Sequence, residues 1–136
     1  MLAAITSQGF MNWMVFSDNF TAKQLTIFLG RLIRQAKQKI FLVLDNHKVH
    51  HCKHVQNYVG KRKDQIRLFF LPPYSPELNP EELVNQDVKA NANNYRAVRT
   101  AEDLATNVRF YLTKIQFNEY KIRSFFTKDD VMYASI

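Results

Sequence analysis

The sequence predicts an α/β fold, a small parallel or mixed sheet covered by helices. Three observations carry that prediction. The short apolar run Ile40-Phe41-Leu42-Val43-Leu44, bounded by charge, is the pattern of a strand buried on both faces, and Ile66 to Leu71 reads as the next strand. Between and after them, apolar residues recur at helical spacing behind capping signals. At the start of the chain two apolar segments, Met1 to Thr6 and Met11 to Phe16, are joined by Ser7-Gln8-Gly9, which reads as a hairpin. The resulting order is β-β-α-β-α-β-α-α. With 136 residues, 46% of them hydrophobic, and only three Gly and four Pro, residues 1–136 read as a single domain large enough for a core.

Each element follows from its residues. Trp13 and Phe16 read as sheet-face or core residues, with stacking on a base as the alternative. Asp18, before Asn19, reads as turn chemistry or as a metal ligand. Thr21 and Gln24 form a capping box, and Phe20 is placed to staple onto Leu25. Leu25, Phe28, Leu29, Leu32, Ile33 and Ala36 then form one stripe, with Lys23, Arg31, Arg34, Lys37 and Lys39 opposite, a solvated face or a DNA-facing one. The run ending at Leu44 delivers Asp45 to the carboxyl end of a buried strand, where open α/β sheets bind ligands. Val49 to Val59 is predicted helical, with Val55, Tyr58 and Val59 inward and Gly60 as its stop. After the strand through Leu71 comes a proline-stiffened loop. It ends with Asn79 as N-cap and Pro80 as first helical residue, so Glu81 and Glu82 open a helix anchored by Leu83 and Val88. Thr100-Ala101-Glu102-Asp103 caps the next helix, which runs to Ile115 with Leu104, Val108, Tyr111, Leu112 and Ile115 inward. Tyr120, Ile122, Phe125 and Phe126 predict a packed tail with one further helix.

Leu44-Asp45-Asn46-His47 followed by Leu71-Pro72-Pro73-Tyr74-Ser75-Pro76-Glu77-Leu78-Asn79-Pro80-Glu81-Glu82 resembles mariner-like bacterial insertion-sequence transposases of the DDE superfamily. The resemblance extends, more weakly, from Ala3 to the C-terminus. It implies a ribonuclease H-like mixed sheet flanked by helices, and cleavage at transposon ends followed by joining of the 3′ hydroxyl to target DNA, commonly at a TA step. Asp45 matches the family's second acid and Glu82 its third. Glu81 stands where the family has an aliphatic residue and Asn85 where it has an aromatic one, which leaves the register between Glu81 and Glu82 open. The family's first, central strand and its aspartate lie upstream of the segment that Ala3 to Phe16 resembles. The expectation is therefore a sheet lacking that strand, completed by a homo-oligomer or by an upstream transposase segment. Mg2+ or Mn2+ is the implied cofactor, with Asp45 and Glu82 as its ligands. The alternative is a non-enzymatic remnant that binds DNA or pairs with a transposase and regulates it.

Each acid also has a plain structural reading. Glu82 fits the third position of a capping box with Asn79, and Asp45 fits the cap of the turn after its strand. Net charge is +7 and the pI about 9.6, which favours a polyanion, DNA first. His50, Lys53, Lys61, Arg62, Lys63 and Tyr74 are the expected DNA-contacting residues. The Lys61-Arg62-Lys63 triplet also suits a helix C-terminus, and Tyr74 also suits a loop anchor. His47, His50, His51 and His54 cluster near Cys52, and the i, i+4 spacing of His50 and His54 raises a zinc site. No second ligand cluster completes a tetrahedron, so polar packing or phosphate contact is the better reading of His50. No apolar run approaches the roughly 18 residues a membrane span needs. The N-terminus lacks a signal-peptide pattern and Cys52 stands alone, which places the expected site of action in the cytoplasm, at DNA.

Overall fold

The structure, a computed structural model, describes residues 1–135. In chain order the elements are β1 (Leu2–Ile5), β2 (Met11–Met14), α1 (Ala22–Gln35), β3 (Ile40–Leu44), α2 (Lys53–Gly60), β4 (Ile66–Phe70), α3 (Glu81–Asn91), α4 (Ala101–Gln116) and α5 (Glu119–Ser124). Short 3₁₀ turns cover Lys48–His51, Pro76–Leu78, Ala92–Asn94 and Asp129–Ser135. The fold is α/β, and its described strands form two small two-stranded sheets flanked by helices. The chain divides into two compact units, one made of Met1–Asp18 with the chain from Glu77 onward, the other of Asn19–Pro76.

In the Asn19–Pro76 unit, β3 and β4 pair in parallel, with Ile40 opposite Ile66 and Leu44 opposite Phe70. The Leu71 N–H extends the ladder by donating to the Leu44 carbonyl at 2.7 Å. Helix α1 begins as its residues dictate. The Thr21 N–H donates to Gln24 Oε1 at 2.7 Å, closing the capping box. Leu25, Phe28, Leu29 and Leu32 are buried along one stripe, each such side chain contributing about 1.5–3 kcal/mol. Two expectations are corrected here. Strand β3 is covered on one face only, since Phe41 is 63% and Val43 41% exposed. Because side chains alternate along a strand, an apolar run can leave every second residue uncovered. The helix expected over Val49 to Val59 is broken at Cys52, whose backbone is extended at φ −67° and ψ 157°. His47 is the cause upstream: its Nδ1 accepts the Val49 N–H at 3.1 Å and closes a separate 3₁₀ turn.

In the other unit, β1 and β2 form the expected antiparallel hairpin, Leu2 opposite Met14 and Ile5 opposite Met11. Gly9 sits at φ +97° in the turn, a conformation that suits glycine. The hairpin packs with α3, α4 and α5 around Val84, Leu112, Ile115 and Ile122. Trp13 takes the sheet-face role, its Nε1–H donating to Gln116 Oε1 at 3.1 Å. Helix α4 opens on the predicted capping box. The Asp103 N–H donates to Thr100 Oγ1, and the Thr100 and Arg99 N–H groups donate to Asp103 Oδ2. The Arg99 N–H is the largest influence holding the Asp103 carboxyl below its ordinary range. Its core line differs from the prediction: Leu104 is 44% exposed, and Asn107 is fully buried with its Nδ2 donating to the Arg96 carbonyl. That bond lets a polar side chain occupy the apolar stripe. In the tail Ile122, Phe125 and Phe126 are buried as expected, while Tyr120 is 86% exposed.

Candidate functional site

Asp45 leaves β3 at the carboxyl end, where the apolar run stops and the chain turns through Asn46 and His47. Its carboxylate is held on one side only. Oδ1 accepts the His47 N–H at 3.0 Å, an Asx turn, and faces His50 Nδ1 at 3.1 Å. Oδ2 has no hydrogen-bond or ion-pair partner among the described residues, and the side chain is 49% exposed. The turn-capping reading of Asp45 is thus realised by one oxygen and leaves the other free. Around it, the Phe20 ring lies 5.4 Å from that of His47 and 5.8 Å from that of His50. Phe20 therefore contacts the histidines.

Glu82 lies in the first turn of α3. Pro80 already has helical dihedrals, φ −63° and ψ −21°, and Asn79 Oδ1 accepts the Glu81 N–H at 3.1 Å, so Asn79 caps the helix as its residue type predicts. The capping box is not completed, because no bond links the Glu82 side chain to the Asn79 backbone. Half-buried, the Glu82 carboxylate makes no hydrogen bond or ion pair with any described residue. Its neighbour differs: Glu81 Oε2 accepts from Asn85 Nδ2 at 3.1 Å. Asp18 is exposed and likewise engages no other described residue.

The basic candidates divide. Lys53, Lys61 and Lys63 are exposed. Arg62 is committed locally, with its guanidinium 3.7 Å over the Tyr58 ring and NH1 donating to the Tyr58 carbonyl. His50 is buried, its Nδ1 turned to Asp45. His54 is exposed beyond the break at Cys52, so the two histidines do not share a helix face. Beside β4, a pocket of about 470 Å³ has Lys39, His51, Lys63 and Arg67 around a floor that includes Val55 and Ile66. Sequence reading passed over Arg67. Its signal was a charge at an alternate position of an apolar strand, and its guanidinium lies 4.9 Å from the Phe69 ring centre.

Tyr74 is fully exposed and sits at φ 55°, the left-handed region that bulky residues rarely adopt. Among the described residues nothing holds its side chain as a loop anchor. Tyr74→Gly relieves about 1–2 kcal/mol of backbone strain and adds about 0.5–1 kcal/mol of unfolded-state freedom. Thermal melting should therefore show it close to wild type, while its affinity for duplex DNA falls. A large loss of stability with unchanged affinity would restore the anchor role.

The chemistry available is that of hard oxygen donors. Magnesium takes one or two carboxylates and fills the rest of its shell with water and substrate phosphate oxygens, and the free oxygen of Asp45 fits that demand. Among the described residues no group of three or more His, Cys, Asp or Glu side chains is arranged to hold a metal ion. No helix among them is long and apolar enough to cross a membrane. Comparison with known proteins adds two findings. A family described as DDE superfamily endonuclease matches residues 1–105. An uncharacterized protein of Sinorhizobium fredii (strain NBRC 101917 / NGR234), y4pE/y4sA, is 39% identical over 64 residues, covering 47% of this chain and 47% of the relative. The chain thus spans about half the length of the curated relative it matches.

Proposed function

We propose, because this chain belongs to the DDE superfamily endonuclease family, that it acts in a transposase-type reaction. It would cleave phosphodiester bonds of transposon DNA and transfer the strand to a target, with Asp45 and Glu82 as the family's second and third acids. The family implies DNA as substrate, and its members generally use divalent metals. The finer identification, a mariner-like insertion-sequence transposase using Mg2+ or Mn2+, is supported by the loop from Leu71 to Glu82. What supports the reading most is that the fold leaves Asp45 Oδ2 and the Glu82 carboxylate uncommitted. Carboxylate oxygens kept free of partners at a strand's carboxyl end and a helix start are ready for a cation.

A bound divalent cation supplies activation of the attacking hydroxyl or water and stabilisation of the leaving oxygen. The chain's own residues do the rest. Asp45 offers Oδ2 with Oδ1 already held, and Glu82 offers a carboxylate on the rigid first turn of α3. Lys53, Lys61 and Lys63 supply exposed cations for the sugar-phosphate chain, whose contacts dominate affinity and weaken with salt. Asp18 or an acid of a second copy is the candidate for a third ligand. A second copy or an upstream transposase segment is also favoured by the sheets themselves, since each stops at two strands and unpaired edges recruit further chains.

Incubation of supercoiled plasmid with the chain and Mg2+ or Mn2+ should produce the nicked form, and chelation should stop it. A second reading is a DNA-binding segment without chemistry, which the net charge of +7 supports. That reading predicts binding without nicking at every metal concentration.

A further inference from the structure

We infer that His50 is a positioning residue, which fixes the Asp45 carboxylate so that Oδ2 alone is presented to a divalent cation. The inference rests on Asp45 being a cation ligand, as proposed above. His50 Nδ1 lies 3.0 Å from the Asp45 carbonyl oxygen and 3.1 Å from Asp45 Oδ1. Both are acceptors, so Nδ1 carries the proton and donates to them. The ring is itself fixed: it is 7% exposed and meets the Phe20 ring edge-on at 75°. With the His47 N–H also on Oδ1 at 3.0 Å, two donors converge on one oxygen. An isolated aspartate samples a broad range about its terminal torsion. Removal of the His50 donor leaves the His47 N–H alone to restrain that rotation. Partners of this kind around a metal ligand typically contribute 10–100-fold in affinity.

The donor's position makes a sharp distinction between variants. Asparagine at position 50 can place an N–H where Nδ1 stands. Glutamine fills more of the ring's volume and carries its amide where Nε2 stands. If His50 only packed, His50→Gln would be the milder change.

The test is Mn2+ titration of the chain followed by NMR, reading the selective broadening of the Asp45 to His47 amides. His50→Ala should shift the midpoint by about 10–100-fold to higher Mn2+, His50→Asn should recover most of that loss, and His50→Gln should not. In the wild-type chain without metal, nitrogen shifts of the His50 ring should report the Nδ1–H tautomer, a readout that needs no variant to fold. An Nε2–H tautomer, or a His50→Gln midpoint closer to wild type than that of His50→Asn, would overturn the positioning role. Asp45→Ala separates the two levels. If it removes the broadening while His50→Ala does not shift it, only the positioning role fails. If Asp45→Ala leaves the broadening unchanged, Asp45 is no ligand and both fall together.

Discussion

Glu82→Ala should lower metal-dependent cleavage of DNA by more than about 100-fold, beyond the usual effect of changing a metal ligand's supporting partner, and leave thermal stability nearly unchanged. Glu81→Ala should do the opposite in kind, reducing stability slightly and leaving cleavage in place. The distinction comes from the first turn of α3. Glu81 already receives the Asn85 amide, whereas the Glu82 carboxylate engages no described residue. Adjacent helical residues point about 100° apart, so the two acids cannot exchange roles without moving the helix. Paired nicking rates and melting temperatures check this. A loss of cleavage in Glu81→Ala with Glu82→Ala active would move the third acid back by one residue.

Asp87→Ala should destabilise the unit containing α3, α4 and α5 by about 1.5–3 kcal/mol, the range for charge-assisted hydrogen bonds. Asp87 Oδ2 accepts the Tyr111 hydroxyl at 2.5 Å, while Oδ1 accepts Asn91 Nδ2 at 3.2 Å and pairs with Lys121 Nζ at 3.0 Å. One carboxylate thereby ties three helices together. Burial, then the bond to Asp87, raises the Tyr111 hydroxyl above its ordinary 10.0. Burial alone would lower Lys121, but the Tyr111 and Asp87 bonds outweigh it and raise the ammonium above its ordinary 10.5. Both folded values exceed the unfolded ones. Their stabilisation is therefore complete below those ordinary values and is lost as pH rises through the folded ones. Denaturant unfolding should show the gap between wild type and Asp87→Ala narrowing as pH rises past that range. A gap that stays constant would mean that Asp87 acts by packing alone.

Much of the framework was legible because local chemistry decided it. The Thr21 and Thr100 boxes, the Ser7-Gln8-Gly9 turn and the strand ending at Leu44 each formed where their residues placed them, and the run from Ile66 to Leu71 formed a strand as far as Phe70. What was missed depended on particular side-chain hydrogen bonds that residue spacing does not reveal. Nothing near Leu104 signals that Asn107 takes the buried position, because the bond that permits it comes from the Arg96 carbonyl. Likewise, the break at Cys52 follows from a histidine ring capping Val49, which spacing alone does not show. At the site, residue types and the family resemblance pointed to Asp45 and Glu82. Which carboxylate oxygens the fold leaves open required coordinates, as did the turning of His50 toward Asp45.

Plasmid nicking by the wild-type chain and by Asp45→Ala, with Mg2+ or Mn2+ and at one fixed salt concentration, tests the central claim most directly. The account predicts metal-dependent nicking by wild type that chelation abolishes and Asp45→Ala loses, with DNA binding retained in both. Nicking that persists in Asp45→Ala, or that ignores chelation, would contradict it.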